Sequence, residues 1–154
     1  MNNKFARLLL ALTFASGVAF SSHAATNAEM QRASQRLVER AAKTGGEDKT
    51  RRLLEEALVA NPANADALSG LGHYYVTANK PAVARKYFKF TLFVDPANVA
   101  ALGGLGLLDL ADGKRDAAQE HYIILKTICA TCRETLALGA KLSNTPNASP
   151  TDKP

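Results

Sequence analysis

Few residues in this chain are of a type and spacing that could do chemistry. Cys129-Ala130-Thr131-Cys132 brings together the only two cysteines. A pair so spaced can close a disulfide, act as a redox dithiol or give two ligands to zinc. Haem attachment needs a histidine after the second cysteine, and Arg133 stands there. Zinc needs two further ligands, for which His121 on the preceding segment and His73 are the available histidines. A redox motif is expected beside a βαβ pattern, and none surrounds this one. In an exported protein the pair is expected to be a structural disulfide of Cys129 and Cys132. With so short a loop its entropic gain is small, below the ~3 kcal/mol of a loop of about 15 residues. Gly103-Gly104-x-Gly106 has the composition of a phosphate loop, but it lies in a helical pattern with no strand before it. No catalytic constellation is present, so no enzyme activity, cofactor or metal is expected.

The premise of export rests on the front of the chain. Met1 to Ala24 has a basic start at Lys4 and Arg7, an apolar run from Leu8 to Phe20, and Ser22-His23-Ala24 at its end. These are the three parts of a cleavable signal peptide. The apolar run is short for a span of about 20 residues, and no charged stop-transfer block follows. The mature chain is expected to begin at Ala25, to have no stable membrane insertion, and to reside in a Gram-negative periplasm or be secreted. Of 19 basic and 14 acidic residues the signal removes two basic ones, leaving a net charge of +3. The densest basic groups, Lys49-Thr50-Arg51-Arg52 and Arg85-Lys86-Tyr87-Phe88-Lys89, make no contiguous stripe, so no nucleic-acid partner is expected.

Seven helices and no strand are predicted. Thr26-x-x-Glu29 has capping-box spacing and opens a first helix to Lys43, which Gly45-Gly46 ends. The second spans Thr50 to Ala60. Asn64 caps a third, Ala65 to Ala78. Pro81 opens a fourth, to Val94, at a position that needs no N–H. Asn98 caps a fifth, to Ala111, and Gly113 supplies a turn with positive φ. The sixth runs from Arg115 to Ile128, and a short seventh from Arg133 to Leu142. Ser143 to Pro154 is rich in Ser and Pro and is expected to be a disordered tail.

The helices repeat. Shifted by 34 residues, Asn61-Pro62-Ala63-Asn64 falls on Asp95-Pro96-Ala97-Asn98, and Ala67, Leu68, Gly70, Leu71 and Gly72 fall on Ala101, Leu102, Gly104, Leu105 and Gly106. A period of 34 marks a helix-turn-helix repeat. The segment Ala65–Asn98 carries Leu68, Leu71, Gly72, Tyr75, Ala84, Phe88, Thr91 and Pro96; the next, from Val99 to Thr131, carries Leu102, Leu105, Gly106, Asp109, Ala118, Tyr122 and Leu125; a degenerate first copy, Gln31–Asn64, carries Ser34, Leu37, Val38, Ala41, Thr50, Leu54, Ala57 and Pro62. This pattern resembles the tetratricopeptide repeat (TPR) family. The resemblance implies an all-α, right-handed solenoid of three helix pairs, with Arg133–Leu142 as a terminal cap. It implies that Gly72 and Gly106 lie where the helices of one repeat cross, and that Phe88 and Tyr122 fill the gaps between repeats. Asp109 departs from the family's tyrosine; it either points to solvent, the expectation here, or reaches a basic residue.

The resemblance further implies a scaffold that binds a protein or peptide in a concave groove. The groove rows are Arg32, Gln35, Glu39 and Lys43; Asp66, Ser69, His73, Val76 and Thr77; and Ala100, Gly103, Leu107, Leu110 and Ala111. The Lys and Asn set with which some members clamp a C-terminal carboxylate is absent. The apolar third row suits an amphipathic segment or a second copy of the chain, unless the terminal helix covers Leu107 and Leu110, which is the expectation. The alternative function is a thiol-disulfide helper using Cys129 and Cys132.

Overall fold

A computed structural model describes residues 26–145. The expected signal segment Met1–Ala24 and most of the expected tail lie outside the described residues. Seven helices follow one another: α1 (residues 26–42), α2 (Glu47–Ala60), α3 (Ala65–Thr77), α4 (Pro81–Val94), α5 (Val99–Ala111), α6 (Arg115–Ile128) and α7 (Arg133–Asn144). No strand occurs among the described residues.

The signals at Asn64, Asn98 and Gly113 act where they were placed. Asn64 and Asn98 accept from the amides of Ala67 and Ala101 at 3.0 and 3.1 Å, satisfying N–H groups that a helix start leaves unpaired. Asn79 and Gly113, 34 residues apart, take positive φ of 55° and 74° and turn the chain between paired helices; asparagine tolerates that region because its short side chain can bond locally. Two boundaries differ by more than one residue. α2 starts at Glu47 rather than Thr50, because Glu47 and Asp48 suit the positive end of the helix dipole. α7 runs past Leu142 to Asn144, where Ser143 Oγ and Thr145 Oγ1 donate to the carbonyls of Gly139 and Lys141, and Arg115 Nη1 donates to that of Thr145.

The core is one strip of small and large side chains threaded between the pairs. α3 packs on α4 and α5 on α6, while α2 meets α3 and α4 meets α5 across repeats. Each interface repeats a three-residue slot: Val38–Leu54–Gly70, Gly72–Phe88–Gly104 and Gly106–Tyr122–Leu138, related by the 34-residue shift. Leu54 and Phe88 are buried in the first two. A Cβ at Gly72 would lie 2.5 Å from the Phe88 ring, and one at Gly104 would strike its other edge, so only glycines let the helices close on this phenylalanine. The third slot departs from expectation. Leu138 is fully buried and fills the space against Gly106, while Tyr122 is half-buried and lies against Gly139. Leucine at 138 brings bulk where the middle slot has Gly104, and leaves no room for a ring.

The array has a curvature. Among the first helices of the pairs, α3 touches α5 and α5 touches α7; the second helices α2, α4 and α6 make at most marginal contact with one another. Closer spacing on one side puts α1, α3, α5 and α7 on the inner, concave side and α2, α4 and α6 on the outer.

Candidate functional site: the concave groove

The groove is built from helix faces that the core leaves over. On α1, Arg32, Gln35, Glu39 and Lys43 are exposed; on α3, Asp66, His73, Val76 and Thr77 are exposed. Ser69 is buried instead, its hydroxyl bonded to the carbonyl of Asp66 at 3.2 Å, so it offers nothing to a partner. On α5, Leu107 is partly open and Leu110 half-buried. The terminal helix covers part of that row: Leu110 packs against the cluster that holds Leu138 and Leu142 of α7, and a Cβ at Gly103 would come 2.8 Å from Glu134 Cβ, while Leu107 stays open. Leu136 of α7 itself stays 60% exposed, since α7 is the last of the described helices.

Two features of the groove were not read from the sequence. The first is a cleft of about 640 Å³ at its N-terminal end, where Arg32, Gln35 and Asp66 are joined by the loop residues Asn61 and Asp95. The floor is made of side chains with opposite charges, suited to polar segments. The signal in the sequence is the repeated polar position Asn61/Asp95 before each proline. The second is a fourth row. α7 sits as another first helix would, so Arg133 and Glu134 reach the middle of the groove. The His73 ring meets Phe88 edge-on, with centroids 5.1 Å apart. Its partial burial there pushes its pKa below the ordinary histidine value; the Arg133 charge acts in the same direction and Glu134 opposes it.

Behind the groove two polar links hold the first helices in place. Ser34, standing where later repeats have Leu68 and Leu102, is fully buried; its Oγ donates to the carbonyl of Ala57 and accepts from Asn64 Nδ2, both at 2.7 Å. Asp109 is buried rather than solvent-exposed, because Arg85 of α4 donates to its Oδ1 and His121 of α6 lies 3.3 Å from its Oδ2. Arg85 also bonds Asp112 at 2.8 Å. The carboxylate thus fills a tyrosine's place and is compensated by charge. No group of three or more His, Cys, Asp or Glu side chains that could hold a metal ion occurs among the described residues. The Cys129 and Cys132 sulfurs lie 1.99 Å apart, at disulfide distance, where α6 passes to α7, and Thr135 Oγ1 donates to the carbonyl of Cys129. No described helix is long and apolar enough to cross a membrane.

An all-α array of this repeat length, curvature and glycine–aromatic interleaving is a TPR solenoid, and solved structures share it. The first TPR of Spaghetti (RPAP3), bound to the HSP90 peptide SRMEEVD, is 19% identical, with a TM-score of 0.64 over 73% of this chain and 92% of that one. The second TPR domain of human RPAP3, in complex with the HSP70 peptide SGPTIEEVD, is 14% identical, with a TM-score of 0.62 over 77% and 99%. The first TPR domain of human RPAP3 gives 17% and 0.62 over the same shares. No family model and no curated protein matches the sequence. At these identities the likeness establishes the fold.

Proposed function

We propose that this chain is an exported, non-enzymatic scaffold whose concave groove holds a segment of another protein. The observation that carries the reading is the cleft of about 640 Å³ that Arg32, Gln35 and Asp66, exposed on α1 and α3, line together. The similar domains of Spaghetti and human RPAP3 hold peptides, which supports a peptide-binding role for the same architecture. The mode differs from a carboxylate clamp. Mixed charge along α1 and α3, with Leu107 at the far end, suits a segment with charged residues at one end and an apolar anchor at the other. Export follows from the Met1–Ala24 signal pattern, and in that setting Cys129 and Cys132 form a structural disulfide that fixes α7 against α6.

The test is partner capture. A photo-crosslinker at His73, in the chain expressed in its own host's envelope, should join one dominant protein, and in a separate chain without the crosslinker Glu39→Lys with His73→Asp should weaken binding of that protein at unchanged helicity. Binding that survives the double substitution, or a crosslinker that captures nothing, would remove the groove assignment. Mass analysis of the envelope form should find Ala25 at its N-terminus.

A further inference from the structure

The largest exposed apolar side chains lie on the outer face, away from the groove. Phe93 is 86% exposed and Phe90 61% on α4, and Ile123 and Ile124 stand out on α6. Surfaces of this kind are covered in use more often than left to water. Their charges have a pattern. α4 contains no acidic residue and presents Lys86 and Lys89 beside the phenylalanines; the outer face of α6 presents Asp116 and Glu120 beside the isoleucines. None of these four charges makes an ion pair or hydrogen bond among the described residues. The basic groups of α6 are occupied elsewhere, Arg115 with the carbonyl of Thr145 and Lys126 over the Tyr122 ring.

We propose that the chain pairs with a second copy of itself through this outer face, α4 of each protomer lying against α6 of the other. A two-fold axis between adjacent helices of opposite character makes the face its own complement: each copy gives a basic helix and receives an acidic one. A shallow cleft of about 320 Å³ between Lys86, Lys89, Phe90 and Phe93 is the seat for the isoleucines of the facing α6. An anionic membrane surface is the poorer occupant, because it would repel Asp116 and Glu120. Two helices of 14 residues, each about 21 Å long and about 10–12 Å across with side chains, present a footprint on the order of 500 Å² per partner. That total is near the ~1,000 Å² lower bound of a specific interface, so the pair is a reversible dimer, weakened by salt. The groove is on the opposite side and stays open, so this inference does not rest on the groove reading.

Sedimentation equilibrium of the chain, as processed by its host, tests it. A monomer–dimer equilibrium in the micromolar range is expected. Phe93→Asp, at a side chain the core does not use, should weaken it about ten-fold or more with helicity unchanged. Lys86→Glu/Lys89→Glu and Asp116→Lys/Glu120→Lys should each be monomeric alone, and an equimolar mixture should recover the dimer, because each then supplies the charge the other lacks. A wild-type monomer throughout, co-sedimentation of that monomer with phosphatidylglycerol vesicles, a dimer broken by Leu107→Glu but indifferent to Phe93→Asp, or a mixture that fails to recover would each overturn the proposal.

Discussion

Phe88 and Tyr122 hold the same place in successive repeats, and their fates differ. Phe88 is enclosed between Gly72 and Gly104; Tyr122 lies against Gly139, with Lys126 Nζ 5.7 Å from its ring centroid, because Leu138 has taken the space beside Gly106. The two slots show that the repeat conserves volume at a position, not the residue that supplies it. Bulk can enter from the second helix of a pair, as at Phe88, or from the first helix of the next, as at Leu138. The Val38–Leu54–Gly70 slot is a third solution, with an aliphatic side chain at the centre. Dense interiors permit such exchanges only when the total is kept.

Substitutions can break this comparison at graded cost. Phe88→Ala should be the most damaging, about 3–5 kcal/mol by urea titration, since it empties a slot whose other two members are glycines. Gly104→Ala should cost about 1–3 kcal/mol, because the rigid ring cannot step aside, and Phe88→Leu in the same chain should recover part of that loss. Asp109→Ala should cost less, about 1–2 kcal/mol, because Arg85 retains Asp112 as a partner. Gly70→Ala should be close to neutral. Its Cβ would meet the two methyls of Leu54, at 3.0 and 3.1 Å, the far end of a flexible side chain rather than a rigid ring, and alanine favours a helix by about 1 kcal/mol over glycine. An equal cost at Gly70 and Gly104 would show that the slots do not differ as described.

The smallest effect concerns His73. Its folded-state pKa lies below the unfolded value, so the unfolded chain binds the proton more readily. The stability contributed by neutral His73 is present above the unfolded pKa of about 6.5 and is lost as pH falls through the folded value. His73→Gln should flatten the mild decline in melting temperature on acidification below that point; an unchanged slope would assign the decline to other groups.

Most of the fold was legible because it is periodic. Asn64, Asn98, Pro81 and Gly113 mark helix starts and turns by local chemistry alone, and the 34-residue shift pairs the helices. What could not be read depended on neighbours distant in sequence. Asp109 was expected in solvent because nothing local announces that Arg85 and His121 will flank it. Ser34 looked like a decayed leucine, yet it is a hydrogen-bonding post shared by Ala57 and Asn64. Ser69 carried the spacing of a groove residue and is buried. Periodicity gives the face a residue occupies; which atoms it then meets is set by the next repeat.

The Arg85–Asp109–His121 link spans α4, α5 and α6, and so ties two consecutive repeats through one buried carboxylate. A linear array can open from its ends, each unit noticing only its neighbours. A shared charge between units means that parting either one strands Asp109, so the second and third repeats should open together, as a single step in amide hydrogen exchange. The first repeat, joined to the second by neutral hydrogen bonds, should open more often and alone. The middle of the molecule is therefore its slowest-opening part, and the first cleft is carried by its most readily opened one.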